Sequence, residues 1–343
     1  MRTRTIISLL FAVAALATVV SVTGCGGSSS ASGSSGGKVA LVAYSTPQEA
    51  YAQLVPAFQK TADGKGVSFS QSFGASGDQA RAVVSGLPAD VVEFSLAPDI
   101  DKVVKAGLVD SNWSQNKWHG FVTDSVVTLV VRKGNPKGIH DWADLTKPGV
   151  QVIEPNPFTS GGARWNVMAA YGAVSAKGTN KDAGVNYLKA LFPQIAVQDS
   201  SARASLQTFI GGKGDAMIAY ENDAIFAQQN KQELDYTVPD ATILIENPVA
   251  VLKNSAHPTE AKAFLDFLHT PEAQKLYADN GYRPVVQGVG GPTFPTPSGL
   301  FTIDDLGGWS SVTKEFFDAS TGIVAGIEQS IGVATSPSPT SSK

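Results

Sequence analysis

Three times in this chain a short apolar strand runs into a Ser- or Gly-bearing loop that opens directly onto a helix. The segments are VSFSQS-FGASG-DQARAVV from residue 67, VQVIEPNP-FTSGG-ARWNVMAA from residue 150, and VQ-DSS-ARASLQTF from residue 197. Junctions of this kind restrict the chain to α/β architectures, because strand–helix alternation at this spacing builds parallel sheets covered by helices on both faces. In open sheets of that class, ligands settle beyond the carboxyl ends of the strands, where loops enter helices.

The alternation runs from residue 39 onward. The pattern predicts strands at Val39–Tyr44, Val67–Gln71, Val91–Phe94, Val126–Val131, Val150–Ile153, Ala216–Tyr220 and Ile243–Leu252. Helices are expected at Gln48–Lys60, Gln79–Ser85, Ile100–Ala106, Ala163–Ala176, Ala183–Leu191, Ala202–Ile210, Thr259–Leu268 and Pro271–Asn280. Pro56 inside the first of these helices is expected to kink or split it. The roughly 300 residues beyond the amino-terminal region exceed a typical single domain, so two lobes are expected.

The junctions also carry chemistry. Glycine lets a ligand touch backbone, and the first N–H groups of a helix have no internal partner. Free donors and the positive end of the helix dipole attract an anion. For Asn156-Pro157-Phe158-Thr159-Ser160-Gly161-Gly162 the plainer alternative is Ser160 as an N-cap and the glycines as turn. The second segment of the same kind, Ser72-Phe73-Gly74-Ala75-Ser76-Gly77-Asp78, tilts the balance toward a site.

Together these segments resemble the periplasmic sulfate-binding proteins that feed ABC importers. The likeness rests on the SGGARW stretch at residues 160–165 and on the earlier Gly-Ala-Ser-Gly loop. It continues through VVRKGNPKGIHDWADLTKPGVQVI, DSSARASLQTFIGGKGDAMIAYEN, GYRP and FTIDDLGGW, and so spans residues 39–310. The resemblance implies a two-lobed periplasmic-binding-protein-like fold (type II), each lobe a mostly parallel sheet flanked by helices. It places lobe 1 at residues 38–122 and 246–288 and lobe 2 at residues 123–245, with a segment at residues 289–330 packing back on the lobes. The chain would cross near Phe121–Ser125 and return near Glu246–Pro248.

Carried over residue by residue, the family's ligand contacts fall on Ser76, Ser160, Gly161, Gly162 and Ala202. Ser160 would donate its hydroxyl. Gly161, Gly162, Ala202 and Ser76 would donate backbone N–H groups, with Gly77 as an extra donor. Where the family has a tryptophan indole this chain has Tyr220, whose hydroxyl can donate or accept. Ser45 stands where the family has an aspartate that braces binding-loop amides. Phe158 replaces a lysine and reads as a change at the rim. Arg164 and Arg203 follow the donor residues and are expected to bond backbone carbonyls or carboxylates behind the ligand.

The amino terminus indicates the compartment. Arg2 and Arg4 precede an apolar stretch from Ile6 to Val22, then Thr23-Gly24-Cys25, which reads as a lipoprotein signal at residues 1–24 with lipid on Cys25. An ordinary secretory signal or an uncleaved anchor helix are the alternatives. Cys25 is the only cysteine, so an intrachain disulfide and a multi-cysteine metal site are excluded. Residues 25–37 read as a flexible tether and residues 331–343 as a disordered tail. Loss of Arg2 and Arg4 takes 26 basic residues to 24 against 30 acidic ones, a net −6. That balance argues against nucleic acid and means that a bound anion is held by local geometry.

Other chemistries fit less well. Gly74-Ala75-Ser76-Gly77-Asp78 approaches the nucleophile elbow of a serine hydrolase, but Asp78 stands where the closing glycine belongs. His119, His140, His257 and His269 fall in apparent turns and helix ends, which leaves neither a catalytic base nor a metal-ligand spacing. GGKGD at residues 211–215 lacks the Lys-Ser/Thr ending of a phosphate loop and reads as a turn. A phosphate receptor is the nearest rival. Phosphate keeps a proton at neutral pH and needs an acceptor, for which Asp78 and Glu221 are the candidates; capping and solvent are the expected roles of those two. The reading is therefore a monomeric, lipid-anchored, extracytoplasmic receptor without cofactor or metal. It would capture sulfate, with thiosulfate as a second candidate, for the permease subunits of an ABC importer.

Overall fold

The computed structural model describes residues 36–333 and residue 335. The signal segment, Cys25 and most of the tether and tail lie outside the described residues. Within them ten strands join into a mixed sheet of order β2-β1-β3-β9-β4-β7-β5-β6, with β8 and β10 also paired to β4.

One arm of the sheet is built from β1 (Lys38–Tyr44), β2 (Ser68–Gly74) and β3 (Val91–Glu93). β1 pairs in parallel with both neighbours, so the carboxyl ends of all three point the same way. The other arm contains β5 (Val152–Pro155), β6 (Ile195–Asp199) and β7 (Ala216–Tyr220), again parallel. Two longer strands link the arms. β4 (Phe121–Arg132) pairs through its first half with β9 (Leu244–Val251) and through its second half with β7 and with β8 (Leu234–Thr237). The far end of β9 closes the first arm against β3. These crossing pairs are antiparallel, which leaves each arm mostly parallel as expected. The second half of β4, from Val126 to Val131, is apolar except for Thr128 and buried throughout, as a central strand covered on both faces requires.

Helix α1 (Gln48–Lys60) is continuous through Pro56, so it is not split there. Ala52 and Pro56 both lie on its exposed face, so water can take the carbonyl that Pro56 leaves unbonded. The expected helices at Ile100–Ala106, Ala183–Leu191 and Pro271–Asn280 form as α3 (Ala97–Lys105), α5 (Lys181–Leu191) and α9 (Pro271–Asp279). Three strands, β6, β8 and the two-residue β10 (Arg283–Pro284), and one helix, α7 (Glu221–Gln229), went unrecognised in the pattern as full elements. So did the carboxyl-terminal helices α10 (Gly308–Phe317) and α11 (Ile323–Ser330). These last two pack onto the body: Trp309 meets Trp165 edge-on at 4.6 Å, Phe316 meets Tyr171 at 4.6 Å, and Gln198 donates to Glu328 at 3.2 Å.

Candidate functional site

The two arms face each other through their strand–helix junctions. On the first arm, β2 ends at Gly74 and helix α2 (Ser76–Val84) starts two residues later. Its N-cap residue Ala75 has no side-chain acceptor, so the first amides depend on other partners. Ser76 is buried and turns its hydroxyl away from the helix end, donating to Asp99 at 2.5 Å and accepting from Ser95 N–H at 3.0 Å. Its backbone N–H opens the helix. Gly77, expected as an extra donor, is otherwise engaged: its N–H reaches the carbonyl of Thr159 on the opposite arm at 3.0 Å.

On the second arm Asn156 shapes the loop after β5. Its side-chain oxygen accepts from Phe158 N–H at 2.8 Å and its carbonyl from Ser160 N–H at 2.8 Å. That turn delivers Ser160 as the N-cap of helix α4 (Gly161–Val174), where its hydroxyl oxygen accepts from Ala163 N–H at 3.3 Å. Capping uses the oxygen and leaves the hydroxyl proton free, so the plain and functional readings of Ser160 are compatible. Gly161 and Gly162 are the first two helical residues, and their N–H groups have no intrahelical acceptor. A Cβ on Gly161 would sit 2.0 Å from Leu96 Cδ2 and 2.9 Å from Ser95 Cβ, so only glycine lets the arms approach here. A Cβ on Gly162 would lie at ordinary contact distance, 3.5 Å from Ser160 Oγ and from Tyr220 Cε1.

The third junction places Ser201 as the N-cap of helix α6 (Ala202–Ile210), with Ala202 as its first residue. Arg203 N–H donates to Ser45 Oγ at 3.4 Å, the amide-bracing role that the resemblance implied for position 45. The Arg203 guanidinium donates to the carbonyl of Thr46 at 3.1 Å and to Glu49 at 2.6 Å. Arg164 donates to the carbonyl of Pro157 at 2.8 Å. Both arginines thus bond carbonyls or carboxylates, as the sequence reading anticipated.

Tyr220 ends β7 and is 1% exposed. Its hydroxyl lies 2.5 Å from that of Ser95, on the far arm. Ser95 is one of three lining residues absent from the sequence expectation, with Tyr44 and Thr46. Ser95 follows β3 at the carboxyl end of the sheet, a position the strand-end rule points to, but no glycine or helix cap marks it. Its carbonyl accepts from Trp165 Nε1 at 2.7 Å and from Asn247 Nδ2 at 3.0 Å, so it is held from three sides.

Tyr44, Ser45, Thr46, Ser76, Ser95, Ser160, Gly162, Ala202 and Tyr220 line one small cavity of about 10 Å³. That is far below the roughly 300–1,000 Å³ of pockets for drug-sized molecules, so with the arms this close only a very small occupant is in scale with it. The lining carries hydroxyls and helix-start amides and neither a carboxylate nor a basic side chain. Burial pushes the phenols of Tyr44 and Tyr220 well above their ordinary range, so both remain neutral donors. The larger cleft between Phe58 and Phe267 carries the carboxylates of Asp63 and Asp266 beside its threonines and Lys262, which sets it apart from this all-neutral lining.

Three expectations near the site need correction. Phe158 is 6% exposed and belongs to the core rather than the rim, because the Asn156 turn points its ring inward. Glu221 is buried and ion-paired to Arg283 at 2.8 Å, not solvated. Asp78 caps nothing; it pairs with Arg81 on the exposed face of α2. The histidines behave as expected. His269 closes α8 (Pro258–Leu268), bonded to the carbonyls of Leu265 and Phe121 and stacked on Trp118.

Fold and cavity together define a solute receptor of the two-lobed periplasmic-binding-protein class. A profile of bacterial extracellular solute-binding proteins matches residues 39–283. The sulfate-binding protein of Synechococcus elongatus is 43% identical over 292 residues, covering 82% of this chain and 83% of that one. The thiosulfate-binding protein of Escherichia coli is 36% identical over 295 residues, covering 80% and 86%. Among solved structures, the sulfate-binding protein SubI from Mycobacterium tuberculosis H37Rv has a TM-score of 0.79 and 43% identity, covering 82% of this chain and 99% of that one. The chain belongs to the family of bacterial extracellular solute-binding proteins.

Proposed function

We propose that the protein captures sulfate in this cavity, with thiosulfate as a second candidate, and delivers it to the permease subunits of an ABC importer. The observation that carries the reading is the lining itself: hydroxyls and helix-start amides from both arms, without a carboxylate. A fully ionised tetrahedral oxyanion offers only acceptors, and its desolvation is tolerated where each oxygen finds donors. The donors are Ser160 Oγ–H and the N–H groups of Gly161, Gly162, Ala202 and Ser76. The Tyr220–Ser95 pair adds one more, since two hydroxyls that share one bond keep one proton spare. The helix dipoles of α2, α4 and α6 supply positive potential that the net-acidic chain does not.

Phosphate fits this lining less well. Its P–O–H needs an acceptor, and Asp78 and Glu221, the two candidates, are bound to Arg81 and Arg283. The two arms are taken as lobes 1 and 2, which open to admit ligand and close on it before docking on the permease. The protein acts outside the cytoplasmic membrane, as extracellular solute-binding proteins do. Lipid on Cys25 and a monomeric state complete the reading. Calorimetric titration of the mature chain with sulfate, thiosulfate, phosphate and molybdate tests it. Sulfate should bind tightly, phosphate and the larger molybdate poorly. Tighter binding of phosphate than of sulfate would overturn it.

A further inference from the structure

Tyr44 is the last residue of β1, in register with Gly74 of β2 and therefore beside the start of α2. Its side chain lines the cavity and is 3% exposed, and its hydroxyl lies near those of Thr46 and Tyr282 without a hydrogen bond of normal length to either. The hydroxyls around it are engaged. Thr46 Oγ1 and Tyr282 Oη lie 3.1 Å apart and take each other, Tyr220 is with Ser95, and Ser76 is with Asp99. Other buried side-chain atoms without partners among the described residues, such as those of Asp223 and Glu328, belong to residues that do not line this cavity. A buried hydroxyl without a partner costs free energy, and native interiors rarely keep one unless a water or a ligand completes it.

We propose that Tyr44 Oη donates a hydrogen bond to the bound oxyanion, which makes Tyr44 a ligand-contacting residue of this site; the inference rests on the oxyanion reading above. Apart from Tyr220 at the end of β7, the other donors lie on helix starts and loops. Tyr44 instead presents its hydroxyl from a strand paired on both sides, so it is fixed before ligand arrives. Such preorganisation lowers the ordering cost of binding.

The test compares wild type and Tyr44→Phe, which removes the hydroxyl and almost no volume. Sulfate affinity, measured by calorimetry, should fall about tenfold to a hundredfold. The ligand-free melting temperature should stay that of the parent. In protein carrying carbon-labelled tyrosine, one ring resonance should shift when sulfate is added and be absent from Tyr44→Phe. Equal sulfate affinity of the two proteins, or a Tyr44 resonance that ignores sulfate, overturns the inference and leaves the sulfate reading standing. A wild type that binds no oxyanion overturns both.

Discussion

The hydroxyls of Tyr220 and Ser95 meet 2.5 Å apart although 125 positions separate them in the chain. One comes from the end of β7, the other from two residues beyond β3, on opposite arms of the sheet. The contact therefore exists only when the arms are together, and it borders the cavity. Tyr220→Phe and Ser95→Ala should each weaken sulfate binding by about 1.5–3 kcal/mol, roughly tenfold to a hundredfold. The double variant should lose less than the sum, because both changes remove one shared bond. Additive losses in calorimetry would mean that the two hydroxyls act separately.

Gly161 and Gly162 are adjacent but should fail differently. Gly161→Ala places a methyl against Leu96 and Ser95 on the other arm, so the arms cannot close. Overpacking of about 1–3 kcal/mol should appear as weaker binding. The contraction that sulfate induces in small-angle scattering should also disappear. Gly162→Ala meets no clash but puts its methyl among Ser160, Tyr220 and Ala202, in the ligand's space. It should lower affinity while the ligand-free protein melts like the parent. Identical behaviour of the two variants would contradict this division.

Stability should depend on pH through Glu93. Its carboxyl is buried between the hydroxyls of Tyr51 and Tyr277, and burial pushes it up to about 7 against those two hydrogen bonds. Between about pH 4.5 and 7 the folded chain keeps a proton that the unfolded chain has released, so stability falls as pH rises and levels off above 7. The whole change is about 3 kcal/mol for this group. Glu93→Gln should remove it: in urea unfolding the variant should gain on the parent between pH 5 and pH 8. Parallel curves would assign the proton elsewhere.

Affinity should vary little above about pH 7, because the proposed donors are amides and hydroxyls that do not titrate there. Asp223 modulates binding at lower pH. Burial pushes it up to about 6, opposed by Arg203 and assisted by Glu49. Its ionisation adds negative charge behind Tyr220, so affinity should fall slightly as pH rises from about 5 to 7. Asp223→Asn should flatten that slope. A slope unchanged in the variant would exclude Asp223 as its source.

Cys25→Ala should release the protein from membranes and leave sulfate binding by the soluble part intact. Retention of the variant in the membrane fraction would instead indicate an uncleaved anchor helix.

The three loops of the site were legible because their signals are local. A glycine after a capping serine, or an Asn-Pro turn before a helix, acts within a few residues. The bracing by Ser45 came instead from the family resemblance, which places an aspartate at that position. Ser95 was not visible, since nothing in VEFSLAP distinguishes it until β3 is placed between β1 and β9. Glu221, Asn222 and Asp223 look like an exposed turn, yet all three are buried because α7 starts beneath the cleft and Arg283 meets Glu221. Phe158 misled for a similar reason: the direction of one side chain depends on a turn whose partners are backbone atoms.

The sequence alone determined the α/β alternation and the three donor-rich helix starts, and its motifs carried the resemblance to a family. The alternation and the helix starts follow from short-range periodicity, capping and glycine placement, which chain neighbours settle among themselves. Tertiary structure alone decided which hydroxyls face the cavity and which are spent on one another. It paired Tyr220 with Ser95, Ser76 with Asp99 and Thr46 with Tyr282, and it left Tyr44 unpaired. A hydroxyl's partner depends on distances between strands far apart in the chain, and those distances exist only once β4 and β9 have brought the two arms together.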